Sequence, residues 1–238
     1  MFSDLGFSYH FEDRQDAAEK LIETLPLEIL QKNEAVIISV SEGGVYFADQ
    51  IAKAAHAPMD ILLTAPILAS NNPEIAIAMV SETEEVVMHR ALIEAFEINE
   101  DYVYSEAKRK YEEEVLGYIY KYRQGAGLIS LKDKYVVLVD ECIETGLTMM
   151  VALKSVIAQE AKNIYIAAPV LDKTVYQNLL SVCDGVFCPC KIQDYISIEY
   201  YFKVFEKSSF EEISKTVKSY EKLVARDGKI KKDIRTYE

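Results

Sequence analysis

Two carboxylates stand side by side at Asp140 and Glu141, and the cluster Thr145-Gly146-Leu147-Thr148 follows shortly after them. Adjacent acids accept hydrogen bonds and attract cations, so they suit sugar hydroxyls or a hydrated Mg2+. A turn that enters a helix offers unpaired backbone N–H groups and the positive end of the helix dipole, and both suit a phosphate. Gly146 lets the backbone approach a ligand closely, and Thr145 and Thr148 add hydroxyl donors. One short loop can therefore hold a phosphorylated sugar by both ends.

Such a loop needs a strand ahead of it and a helix behind it. The apolar run Tyr135–Val139 predicts a strand buried on both faces, and Thr148–Ala158 a helix. Similar runs predict strands at Ala35–Val40, Met59–Leu68, Glu74–Val80, Asn163–Val170 and Gly185–Ile192. Helical spacing covers Asp13–Leu25, Val45–Ala55, much of 89–123, Lys173–Val182 and Ser209–Val224. Between 89 and 123 the residues Tyr111, Val115, Tyr118 and Tyr122 form a stripe among charged neighbours, and Gln124–Gly127 breaks the helix. Apolar strands alternating with helices predict a mostly parallel α/β sheet covered by helices, in a single domain over 1–238 with a polar tail from about 225. In such sheets ligands sit at the carboxyl ends of strands, which is where residues 140–148 fall.

Composition narrows the partners. The net charge of −13 repels phosphate backbones, so no nucleic acid is expected. No apolar run approaches the ~18 residues of a membrane span, and the first twenty residues carry no signal-peptide pattern. Four cysteines, at 142, 183, 188 and 190, are few for a disulfide scaffold and fit a reduced, cytoplasmic setting. Cys188-Pro189-Cys190 lacks the second pair a zinc site needs, Cys142 reads as a small buried filler, and His10, His56 and His89 form no cluster. Neither G-x-G-x-x-G nor G-x-x-x-x-G-K-[ST] occurs, which removes the best sequence sign of dinucleotide and P-loop enzymes.

The segment Val136–Thr148, four hydrophobics, two acids and then T-G-x-T, resembles the phosphoribosyl-diphosphate (PRPP) signature of type I phosphoribosyltransferases. The stretch 36–62 resembles that family's first strand, pyrophosphate loop and following helix. "NPEIAIAMVSE", the long helix before the signature and "YISIEYY" are similar to a little-studied bacterial branch. The resemblance spans roughly residues 10–215 and implies the type I fold, with a small hood from about 1–30 and 185–215. It implies Mg2+-dependent transfer of a phosphoribosyl group from PRPP to a nitrogenous base, in a homodimer, with nucleotide monophosphate as a further ligand. It places the ribose hydroxyls on Asp140 and Glu141 and the 5′-phosphate on Glu144, Thr145, Gly146, Leu147 and Thr148. It places pyrophosphate on Ser41, Glu42, Gly43 and Gly44, with Mg2+ on that side and no protein ligand to the metal assigned. Glu144 becomes a candidate base orienter or general base, and Tyr195 the aromatic that stacks on the base.

The chain departs from that pattern where charge matters. Glu42 stands where the branch usually has a basic residue, and Ala65-Pro66 where it has a basic pair. Two like charges ~4 Å apart at a partly exposed site repel by ~4 kcal/mol. Arg123 is the candidate replacement cation. A non-catalytic PRPP or nucleotide binder of the same fold is the alternative expectation, and a scaffold without small-molecule ligand a third.

Overall fold

The structure is a computed structural model that describes residues 10–226, with side chains to 220. Five strands build the central sheet: β1 (Val36–Ser39), β2 (Met59–Ile61), β6 (Tyr135–Val139), β8 (Asn163–Ala167) and β10 (Gly185–Phe187). Their spatial order is β10-β8-β6-β1-β2, and every pairing is parallel. The strands are apolar on both sides because both faces are covered. Ile37, Val137 and Val139 pack under α1 (Arg14–Thr24) and α3 (Val45–Ala55), while Val36, Ile38, Val136 and Leu138 pack under α7 (Leu147–Ala158) and α8 (Lys173–Leu180). The chain order reverses between β1 and β6, and the crevice outside their carboxyl ends is the expected ligand position in an open α/β sheet.

Two of the expected strands are each two strands. Asn163–Val170 divides into β8 and β9 (Val170–Asp172), and Gly185–Ile192 into β10 and β11 (Cys190–Ile192). Pro169 and Pro189 sit at the breaks, where proline has no N–H for the ladder. With β7 (Cys142–Ile143), β9 and β11 form a second small parallel sheet, in the order β11-β9-β7. Asp140 and Glu141 lie in the corresponding break between β6 and β7. The interruption, absent from the apolar pattern, is what lets two acids leave an otherwise dry sheet.

Met59–Leu68 is likewise divided. Beyond β2 the chain leaves the parallel sheet as β3 (Thr64–Ala69), which pairs antiparallel with β4 (Asn72–Ser81); β4 in turn pairs with β5 (Val86–Met88). Three helices follow, α4 (Arg90–Ala95), α5 (Glu100–Lys110) and α6 (Leu116–Arg123), with a π-helical turn at Tyr111–Val115 joining the last two. The expected stripe of Tyr111, Val115, Tyr118 and Tyr122 faces inward: Val115 and Tyr122 are buried and the other two half-buried. The exposed large apolar residues of this region are Tyr104, Leu116 and Tyr120. A short helix not expected from the pattern, α2 (Leu27–Lys32), follows α1. The last helix, α9 (Phe210–Arg226), reaches slightly into the expected tail, of which residues 227–238 lie outside the described residues, as do residues 1–9 of the expected hood. Residues 10–12 run beside 201–204, with a parallel bridge between Phe11 and Phe202.

A buried ion-pair group joins the antiparallel sheet to the core. Arg123, at the end of α6, is paired with Glu82 and lies 3.5 Å from Asp60. Asp60 also accepts the Ile129 amide at 3.0 Å, and Glu82 accepts the Leu63 amide at 2.8 Å. Burial pushes the Glu82 carboxyl up, and Arg123 offsets only part of that rise. Arg123 is consumed in this group and is not the missing phosphate cation. Removing one member strands the others in the interior, so Arg123→Met should lower stability by ~3–5 kcal/mol in urea unfolding; a loss below ~1 kcal/mol would show that the group does not hold the two parts together.

Candidate functional site

The site begins with two loops that meet at the reversal of strand order. Val40 N–H still bonds Val139 O at 2.9 Å, and then both chains leave the sheet. Ser41 Oγ donates to Asp140 Oδ1 at 2.5 Å, and the Glu141 amide donates to the same oxygen at 2.8 Å. Ser41 Oγ also accepts the Gly44 amide at 3.0 Å. This close approach requires glycine. A Cβ on Gly44 would lie 2.8 Å from Val139 O and 3.0 Å from Asp140 Cα, and one on Gly43 would lie 2.2 Å from the Glu141 carboxyl carbon. Glu141 thus rests directly over the 41–44 loop.

The two acids have different surroundings. Asp140 is buried, and desolvation pushes its carboxyl up to about 7 against the hydrogen bonds from Ser41 and the Glu141 amide. Its Oδ2 makes no hydrogen bond with the described residues. Glu141 is also pushed up by burial, while Arg14 pulls it down. Arg14 Nη2 stands 3.8 Å from Glu141 Oε2. These unused carboxylate oxygens are acceptors of the kind that ribose hydroxyls or a hydrated Mg2+ take, so the donor set fits that ion.

Beyond β7 the chain turns through exposed Glu144 and Thr145 into Gly146, whose φ of +74° is the left-handed conformation that favours glycine. Helix α7 then begins with no side-chain cap. The amides of Thr145, Gly146, Thr148 and Met149 have no acceptor among the described residues, and Leu147 N–H makes only a long 3.4 Å contact with Thr145 Oγ1. A row of open donors at a helix start can grip an anion. Leu147 itself is buried against Met79 and Val151, so it contributes backbone rather than side chain. Thr148 shares a cavity of about 240 Å3 with Ser41, Glu42, Tyr118 and Tyr122.

The remaining sequence candidates fall around this centre. Glu42 turns toward α6, where it accepts from the Tyr122 hydroxyl and lies 3.8 Å from Lys121 Nζ. The carboxylate is held by these two partners, and the amides of Glu42 and Gly43 are without acceptors among the described residues. Ala65 is fully buried and Pro66 exposed, and neither brings charge. Tyr195 is half-buried, its ring 6.0 Å from that of Tyr201. Burial is the main cause that raises both its hydroxyl and the neighbouring Cys142 thiol above their ordinary values. It thus lies beside the acid loop.

One residue at the site has no place in the loop pattern. Arg14, on α1, donates through Nη2 to Gly43 O at 2.9 Å and through Nη1 to Ser208 Oγ at 2.9 Å and Glu206 O at 3.1 Å. Its signal was in the periodicity. Arg14, Ala17, Ala18 and Leu21 form the buried stripe of α1, and a guanidinium in that stripe needs buried partners.

A model of the phosphoribosyl transferase domain matches residues 11–200. A Mycobacterium tuberculosis protein provisionally named a phosphoribosyl transferase is 24% identical over 203 residues, covering 85% of this chain. The chain spans 45% of that protein's length. The crystal structure of TT1426 from Thermus thermophilus is 26% identical with a TM-score of 0.73, covering 89% of this chain and 99% of that one. A purine phosphoribosyltransferase from Pyrococcus horikoshii is more distant, at 18% identity and a TM-score of 0.45 over 82% of this chain and 92% of that one.

Two outcomes follow from this geometry. Asp140 titrates near 3.8 ordinarily and near 7 when folded, so its stabilising contribution is complete below about 3.8 and is lost as pH rises through about 7. The unliganded protein should therefore lose more stability between pH 5 and pH 8 than Asp140→Asn does; parallel urea-unfolding profiles would contradict this. Separately, Gly43→Ala should displace only the carboxyl end of the Glu141 side chain, keeping the melting temperature within a few degrees. Gly44→Ala must move backbone and should cost ~1–3 kcal/mol. Equal costs for the two would refute the close approach drawn here.

Proposed function

The chain belongs to the phosphoribosyl transferase domain family, and from that premise we propose that it transfers a phosphoribosyl group from PRPP to a nitrogenous base, with Mg2+ and release of pyrophosphate. The observation that carries this reading is the pairing of two carboxylates with a row of open amides across one loop, at the reversal of strand order. In this reading the amides of 145–149 hold the 5′-phosphate, and Asp140 and Glu141 accept the ribose 2′- and 3′-hydroxyls. The open amides of the 41–44 loop face the pyrophosphate. Bound Mg2+ would neutralise charge on the departing pyrophosphate. As the base nitrogen bonds to C1 and the C1–O bond to pyrophosphate breaks, positive charge develops on the sugar ring. The fixed carboxylates stabilise it without reorganising. Exposed Glu144 orients the base or takes its proton, and Tyr195 stacks on it from the segment after β11. The protein works as a cytoplasmic homodimer, its chain a single domain with a hood from the terminal segments.

A second reading is favoured by one observation: among the described residues, the cations beside the 41–44 loop are Arg14 and Lys121, and both are already engaged, Arg14 by Gly43 O and Lys121 by Glu42. That would suit a protein that binds PRPP or a nucleotide monophosphate without turning it over. Incubation with PRPP, Mg2+ and a panel of purine and pyrimidine bases, followed by assay for pyrophosphate, decides between them. The transferase reading predicts release with at least one base, reduced about a hundredfold in Asp140→Asn/Glu141→Gln. No release with any base, together with thermal stabilisation by ribose 5-phosphate, would overturn it in favour of the binder.

A further inference from the structure

We propose that Arg14 is a positioning residue for the pyrophosphate half of the site, supplying from behind the loop the positive charge that positions 42, 65 and 66 lack. The inference rests on the phosphoribosyl reading above and deepens it. Arg14 belongs to α1, far from the signature in sequence, yet its guanidinium reaches three separate parts of the site. Nη2 holds the Gly43 carbonyl at 2.9 Å and stands 3.8 Å from Glu141. Nη1 holds Ser208 and the Glu206 carbonyl in the segment before α9. The side chain is only 9% exposed, and the guanidinium carbon sits 4.6 Å from the centre of the Tyr46 ring. Phe47 and Phe205 close around it at 5.3 and 5.7 Å. Its Nε is buried without a hydrogen bond, so the head group is aimed by its two terminal nitrogens alone.

The bond to Gly43 fixes one peptide plane. With the carbonyl of Gly43 drawn to Arg14 and the amide of Gly44 drawn to Ser41 Oγ at 3.0 Å, the 43–44 peptide is held from both sides. The preceding amides of Glu42 and Gly43 then stay open for an anion. The guanidinium, 3.8 Å from Glu141, also attracts that carboxylate and helps keep it over Gly43. A lysine can carry the charge but cannot make the forked contact to Gly43 on one side and to Ser208 and Glu206 on the other.

The two halves of the site can be read separately by calorimetry with two probes. Magnesium pyrophosphate reports the 41–44 loop, and ribose 5-phosphate reports the 144–148 turn. Arg14→Lys should weaken magnesium pyrophosphate at least tenfold and ribose 5-phosphate less than threefold. Ser208→Ala, which removes one partner and leaves the guanidinium in place, should weaken magnesium pyrophosphate in the same direction by a smaller factor. If Arg14→Lys does not fold, the selective loss in Ser208→Ala carries the test. Unchanged pyrophosphate affinity, or an equal loss for both probes, would overturn the positioning role while leaving the phosphoribosyl reading intact. Failure of the wild-type protein to bind either probe would overturn both.

Discussion

Two loops that leave neighbouring strands can share one site only if their backbones nearly touch, and here they do so because residues 43 and 44 carry no side chain. Gly44 lies against Val139 O and Asp140 Cα, and Gly43 lies under the Glu141 carboxyl. Everything else in the centre follows from that contact. Ser41 can reach Asp140, Glu141 can cover the loop, and Arg14 can grip the Gly43 carbonyl from the far side. The sheet contributes the rest: the strands break at 140–141, 168–169 and 188–189, and the acids emerge in the first of these breaks.

Electrostatically, the centre combines open donors with buried acceptors. The start of α7 and the 41–44 loop present amides, while Asp140 and Glu141 present oxygens whose charge burial opposes. In a protein of net charge −13, the proposed anion affinity would come from backbone dipoles and one buried guanidinium rather than from a general field. Glu42 is compatible with this because Tyr122 and Lys121 draw its carboxylate toward α6.

The parts legible in the sequence were those with a strong local pattern. The parallel core could be read because strands covered on both faces are apolar throughout, and the acid-rich loop because its residue types are costly at a strand end without a purpose. The breaks at Pro169 and Pro189 were less visible, since each lies inside a continuous apolar run. The passage from β2 to β3 leaves no mark in composition: Leu62 still bonds Ser39 O, and the next residue already pairs with Glu82. The inward turn of the tyrosine stripe depends on contacts with the antiparallel sheet and α9, which are distant in sequence. Arg123 looked like an available cation because its partners Asp60 and Glu82 lie far away along the chain. Arg14 was detectable as a charged residue in an apolar stripe, but its target could not be named before the loop at 41–44 was placed beside it.

The central claim is that the open amides at the start of α7 and the two carboxylates grip opposite ends of one phosphopentose. A crystal structure of the protein with ribose 5-phosphate tests it most directly. The account predicts phosphate oxygens within hydrogen-bonding distance of the 145–149 amides, with the 2′- and 3′-hydroxyls on Asp140 and Glu141. Ribose 5-phosphate bound elsewhere, or bound here with those amides turned to protein acceptors, would contradict it.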